Sequence, residues 1–187
     1  HQELYDIYNQ GICNATPSIV CKRQWYCKEL TGRLKPLLEQ IYKDEFKSIE
    51  IRYKSRYLRN NDSIGDDLYR CIMDNSFKER QSKNSLYGPQ RDDIEILFNG
   101  LDAMIFASKG VGRTLSILIT LCDLLLLAEH FGRALPVFLL DDTLAEIDSE
   151  IKQRVISIIQ DHSQLIYCTT HKNDRLFFKD VGVFKME

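Results

Sequence analysis

The sequence of 187 residues predicts an α/β fold with a parallel sheet, joined to a mainly helical first part. Three observations predict it. From Leu115 onward the order is apolar helix, apolar strand, acidic pair, helix, apolar strand, the rhythm of a layer in which helices connect parallel strands. Upstream, long amphipathic stretches with few breakers dominate, interrupted by one segment of period two. The charge also divides: residues 1–85 hold 15 Lys/Arg against 12 Asp/Glu, whereas residues 86–187 hold 10 against 15. A domain boundary is therefore expected between 1–85 and 86–187.

In chain order, Leu4, Ile7, Tyr8 and Ile12 share one side of a short helix over 3–12. Tyr26, Leu30, Leu34, Leu37, Leu38, Ile41 and Tyr42 recur at steps of three and four, which predicts a helix over 22–46 with one buried stripe. Pro36, which removes an internal hydrogen bond, is expected to kink it or begin a second helix. Residues 48–58 alternate Ile49, Ile51, Tyr53 and Tyr57 with Glu50, Arg52, Lys54 and Arg56, a strand with a basic face. After a turn at Asn60–Gly65 comes a helix from Asp66 to about Lys83. Asn99-Gly100 is a hairpin signal. Gly110–Gly112 opens an apolar helix that Gly132 closes. Pro136–Leu140 is a buried strand ending in Asp141-Asp142. Asp148 or Ser149 caps a helix with Ile151, Val155, Ile158 and Ile159 inward. Leu165–Thr169 and Val181–Met186 are further strands.

A content of 44% apolar residues excludes intrinsic disorder. The apolar run Leu115–Ala128 contains Ser116, Thr120 and Asp123 and falls short of the ~20 residues of a membrane crossing, so it reads as a buried helix. Six cysteines without a Cys-x-x-Cys pair suit reduced thiols in a cytoplasmic protein better than bridges or zinc.

In open α/β sheets ligands lie beyond the carboxyl ends of the strands, where Asp141, Asp142 and His171 fall. A carboxylate delivered there by four apolar residues can hold Mg²⁺ through water beside nucleotide phosphates, and its neighbour can orient or deprotonate a water. Acids at strand ends also serve as helix caps and turn formers. Ser108-Lys109-Gly110-Val111-Gly112-Arg113, at a helix start, offers a hydroxyl and free N–H groups to an anion. The stripe Arg52, Lys54, Arg56, which Lys47 and Arg59 extend, suits DNA phosphates, or is a solvated strand face.

Taken in order, Ser85-Leu86-Tyr87-Gly88-Pro89-Gln90-Arg91-Asp92-Asp93, Phe106–Thr114 and Pro136–Asp148 resemble the C-terminal half of an ABC-type P-loop ATPase head, and most closely the RecF family of bacterial DNA replication and repair proteins. The resemblance implies ATP and Mg²⁺ as cofactors. Ser108, Gly110 and Arg113 would be signature residues touching the ATP held by the other subunit of a homodimer. Asp141 would be the Walker B carboxylate that holds Mg²⁺, Asp142 the catalytic acid and His171 the switch histidine. Ala145–Asp148 would form the D-loop, and residues 1–85 the rest of a helical second lobe. It further implies duplex DNA and single-strand/double-strand junctions as targets, a part in recombinational gap repair and the SOS response, and RecO and RecR as partners that help place RecA, with no membrane.

Gln90, Lys109, Val111-Gly112 and Ala145 depart from the family's usual residues. No Gly-x-x-x-x-Gly-Lys-Ser/Thr occurs in the chain, so it lacks the loop that cradles β and γ phosphates. A C-terminal fragment of an ATPase is the expectation. The alternative is a non-catalytic, degenerate cassette half serving as an interaction or DNA-docking module. A nuclease would need Asp92-Asp93 brought to Asp141-Asp142.

Overall fold

The computed structural model describes residues 2–58, 63–132, 136–170, 172–178 and 182. Its elements are α1 (Gln2–Tyr42), β1 (Ile49–Lys54), α2 (Ile64–Asp74), α3 (Ser76–Ser82), β2 (Asp93–Phe98), β3 (Leu101–Asp102), α4 (Ala103–Phe106), α5 (Lys109–Phe131), β4 (Val137–Asp141), α6 (Ser149–His162) and β5 (Gln164–Cys168). Two sheets form, one of order β1-β2-β3 and one of β4-β5. The expected strand over 181–186 lies outside the described residues.

The two helices expected over 3–12 and 22–46 are one helix of 41 residues. Cys13, Val20, Cys27, Leu34 and Ile41 are all buried, and they recur every seven residues, so one apolar stripe runs from Cys13 to Ile41 through both prolines, whereas Leu4, Ile7 and Tyr8 of the expected first helix are exposed. Pro36 lies within this helix without ending it. Pro17 deprives the Cys13 carbonyl of its helical donor, and the backbone of Gly65 comes so close that a Cβ there would lie 2.9 Å from that oxygen. The single helix expected from Asp66 to Lys83 is instead split at Asn75, whose amide side chain donates to the Cys71 carbonyl (2.9 Å).

The chain forms two compact units, His1–Glu29 with Ile51–Glu95 and Leu30–Glu50 with Ile96–Glu187, so the units are not divided where the charge changes. The reason is α1, whose later turns bury Leu30, Leu34, Leu38 and Ile41 and whose Ile41 carbonyl accepts from Arg154 on α6.

The first unit has its core in Cys13, Val20, Tyr57, Ile64, Leu68 and Ile72. Glu79, buried, accepts from the Tyr5 hydroxyl (2.8 Å) and from the Leu86 amide (2.6 Å), fixing the approach to Gly88-Pro89. Asp92 accepts from the hydroxyls of Tyr53 and Tyr57, and Arg23 donates to the Pro89 carbonyl. Burial, and then the bond to Asp92, push the Tyr53 hydroxyl up to about 12.

In the second unit, Asn99 and Gly100 both take positive φ (52° and 81°) and turn β2 into β3, as expected of a primed hairpin turn. The Asn99 side chain accepts from the Lys47 and Ser48 amides. Helix α5 starts at its N-cap Ser108 and ends at Gly132 in the left-handed conformation. Among the described residues it is the one helix whose length and composition alone would suit a membrane crossing. Its first half buries Thr114, Leu115, Ile117, Leu118, Leu121 and Cys122, whereas Leu127 and Phe131 are exposed, so the helix expected to be buried is buried along only part of its length. Strands β4 and β5 pair in parallel, from Val137 opposite Gln164 to Asp141 opposite Cys168, and α6 buries Val155, Ile156, Ile158 and Ile159. All six cysteines are free thiols.

Candidate functional site

Four apolar or small side chains feed β4 into Asp141, which is the last residue of the strand rather than the first beyond it. Asp141 and Asp142 are both exposed. Asp142 takes φ +47°, a left-handed conformation that aspartate tolerates better than most residues, while its amide donates to the Cys168 carbonyl (2.9 Å). The parallel ladder thus holds the backbone one residue past the strand and turns the next carboxylate outward. Thr143 follows, its hydroxyl oxygen buried with no partner among the described residues.

The expected glycine turn adjoins this strand end. Ser108 is exposed and its hydroxyl accepts from the Val111 amide at 3.3 Å, a long contact that leaves it available. A Cβ on Gly110 would lie 3.2 Å from the Glu146 carbonyl oxygen, so the first turn of α5 packs tightly on the loop after β4. Arg113, expected at the phosphate, instead donates to the Glu146 carboxylate (2.9 Å) and more weakly to the Thr143 carbonyl (3.4 Å). Asp148 caps α6, its carboxylate accepting from the Glu150 amide at 2.9 Å. Ser108, Gly110, Arg113, Glu146 and Asp148 therefore belong to one connected rim. Glu146 was legible only as a member of the Ala145–Asp148 stretch; its bond to Arg113 spans 33 residues and no local pattern signals it.

His171 lies outside the described residues. The chain on either side of it is anchored by a buried network that the sequence did not reveal. Asp174 on the short helical turn Lys172–Phe177 accepts from the Tyr167 hydroxyl (2.7 Å) and the Thr169 hydroxyl (2.9 Å), and pairs with the Lys152 ammonium at 3.3 Å. Burial opposes ionisation of Asp174, but bonds from Tyr167, Thr169 and Lys152 outweigh it and hold the carboxyl below its ordinary range. Burial, followed by the bond to Asp174, pushes the Tyr167 hydroxyl up to about 12.

The basic stripe is real but partly neutralised. Arg52, Lys54 and Arg56 are exposed, and Arg52 and Lys54 share Glu95 on β2 as their carboxylate partner, Arg52 at 3.8 Å. Arg59 lies outside the described residues. Asp92 is engaged by two tyrosines, and among the described residues no three His, Cys, Asp or Glu side chains gather to hold a metal directly. A nuclease centre built from Asp92-Asp93 thus finds no support.

No protein-family model matches the chain. The DNA replication and repair protein RecF of Staphylococcus aureus, in strains JH9, Newman and Mu3 among others, is 30% identical over 171 residues, covering 89% of this chain and 46% of the relative. The chain thus spans about half the length of the curated relatives it matches. Among solved structures, the recombination mediator protein RecF-ATPrS in the RecFOR pathway superposes with a TM-score of 0.73 at 24% identity, over 92% of this chain and 47% of that one. RecF-ATP in the same pathway gives 0.72 at 24%, over 91% and 46%. The fold is accordingly that of part of an ABC-type ATPase head, and the chain is similar in sequence and architecture to the C-terminal portion of RecF.

Proposed function

We propose that this chain is the signature-bearing half of a DNA replication and repair ATPase, which closes as an ATP-dependent homodimer on DNA. The observation that carries the reading is the connected rim. The open N-terminus of α5 with Ser108, the carboxylates at the end of β4 and the capped start of α6 form one surface, tied by Arg113–Glu146 and by the close approach at Gly110. Free amides and a hydroxyl at a helix start favour an anion, and a carboxylate pair beside them favours its counter-ion.

In this reading Ser108 and Gly110 meet the γ-phosphate of ATP bound by the other subunit. Arg113 and Asp148 shape the loop across the interface rather than touch the phosphate, because both are engaged within the rim. Asp141, exposed at the strand end, would hold Mg²⁺ through water, and the ion would neutralise charge on the phosphates. Asp142 orients and deprotonates the attacking water, and His171 senses the γ-phosphate. Exposed Arg52, Lys54 and Arg56 contact duplex phosphates after exchanging Glu95. We extend the same reading to partnership with RecO and RecR, placement of RecA at gaps, the SOS response and a cytoplasmic setting, which the similarity to RecF supports.

The test is Asp142→Asn in the full-length protein. Asparagine also tolerates the left-handed backbone, so the fold is kept. ATP binding should persist and the ATP-bound dimer should accumulate, while turnover falls by about 10²-fold or more, the scale of a lost general base. Unchanged hydrolysis would remove Asp142 from catalysis and favour a degenerate docking module.

A further inference from the structure

We infer that Arg113 and Glu146 are positioning residues, which together hold the serine turn before α5 in fixed register with Asp142 at the end of β4. The inference rests on the reading of the rim as half of a shared ATP site, and it names what keeps the two parts of that rim aligned. In that reading Ser108 faces the nucleotide of the other subunit, whereas Asp142 serves the nucleotide of its own. Arg113 connects them. Its Nε donates to the Glu146 carboxylate at 2.9 Å, and its Nη1 donates at 3.4 Å to the carbonyl of Thr143, the residue next to Asp142. One guanidinium from the start of α5 thus straps the loop after β4 at two points.

The loop is already anchored through its backbone and its apolar side chains. Leu144 and Ile147 are buried, the Asp142 amide donates to the Cys168 carbonyl, and Gly110 approaches so closely that a Cβ there would stand 3.2 Å from the Glu146 carbonyl oxygen. Stability does not account for adding the ion pair. Arg113 and Glu146 keep 41% and 43% of their side-chain exposure, and a pair so open to water contributes little to folding. Nor is a charge for the phosphate the reason, because the guanidinium is turned onto a carboxylate of its own subunit. What the geometry uses is the planar fork of arginine, which reaches a carboxylate and a carbonyl at once and which an ammonium does not reproduce.

ATP turnover, ATP affinity and melting temperature are measured in the full-length protein for Arg113→Lys, Arg113→Ala, Glu146→Ala and the double alanine variant. Arg113→Lys keeps the charge and should still lower kcat about 10- to 100-fold, up to the scale of a reacting group displaced by about 1 Å. Its ATP affinity and melting temperature should stay close to those of the wild type. The double alanine variant should be no slower than Arg113→Ala, because the two side chains act through one contact. If the wild type hydrolyses ATP and Arg113→Lys matches it, the inference is overturned while the reading of the rim survives. Alanine effects that multiply, or a loss of turnover matched by a lower melting temperature, would overturn it as well. A wild type without ATP turnover would remove the reading of the rim and this inference with it.

Discussion

Gly65 shows how a single missing side chain can hold two helices together. Pro17 leaves the Cys13 carbonyl without its helical donor, and only a residue without a Cβ on α2 can approach that oxygen so closely. A methyl at 2.9 Å from a backbone atom cannot be relieved by a rotamer change, so Gly65→Ala should destabilise the fold by about 1–3 kcal/mol despite alanine's better helix propensity. Urea unfolding read by circular dichroism would measure it, and a gain in stability would contradict the close approach. Gly65 reads in the sequence as a turn glycine after Asn60-Asn61-Asp62. Its actual role was not legible, because the partner carbonyl lies 52 residues away in the chain. Asn99-Gly100, by contrast, was fully legible, since a primed turn is a local demand that those two residues meet.

At the scale of elements, the network around Asp174 joins α6, the end of β5 and the turn that follows. Lys152 and Asp174 retain only 9% and 6% side-chain exposure, so breaking the pair leaves an uncompensated buried charge. Asp174→Ala should cost about 3–5 kcal/mol, and adding Lys152→Met should recover part of it, with Tyr167 and Thr169 still lacking their acceptor. The pH dependence follows from the two shifts. Asp174 ionises more readily folded than unfolded, so its contribution is present above the ordinary carboxylate range, about pH 4, and is lost as pH falls through its lowered value. Tyr167 is held neutral up to about 12, so its contribution is complete below about pH 10 and disappears as pH rises through about 12. Thermal melts of the wild type and of Tyr167→Phe across that alkaline window should converge with rising pH. The helices and strands of this region were readable from their period, but the network was not. Lys152 looks like a surface lysine in an amphipathic helix, and only the packing of a later turn buries it.

At the scale of the whole molecule, β4 and β5 form a parallel pair with one face bare. Val137 is 54% exposed, Leu139 65% and Ile166 48%, although parallel sheets are ordinarily covered on both faces. The chain alone should therefore bind a hydrophobic dye such as ANS. Leu139→Lys should lower that fluorescence substantially without lowering the unfolding midpoint, because this side chain packs against little. Dye binding indifferent to Leu139 would show that the surface lies elsewhere. Continuous apolar strands were expected to be buried, and the alternation along β4 shows that only Phe138 and Leu140 are.

Periodicity, breakers and the order of short motifs were enough to determine the α/β class, the apolar helix with its two caps, the Asn-Gly hairpin and the placement of Asp141, Asp142 and Ser108 at element ends. All of these depend on interactions between residues close in the chain. Tertiary structure alone decided that α1 passes unbroken through two prolines and that Arg113 grips Glu146 rather than facing outward. It also decided that Arg52 and Lys54 share Glu95 and that Lys152 is buried on Asp174. Each of these is a pairing of side chains or backbone groups distant in sequence, and its energy exists only once the intervening elements have packed.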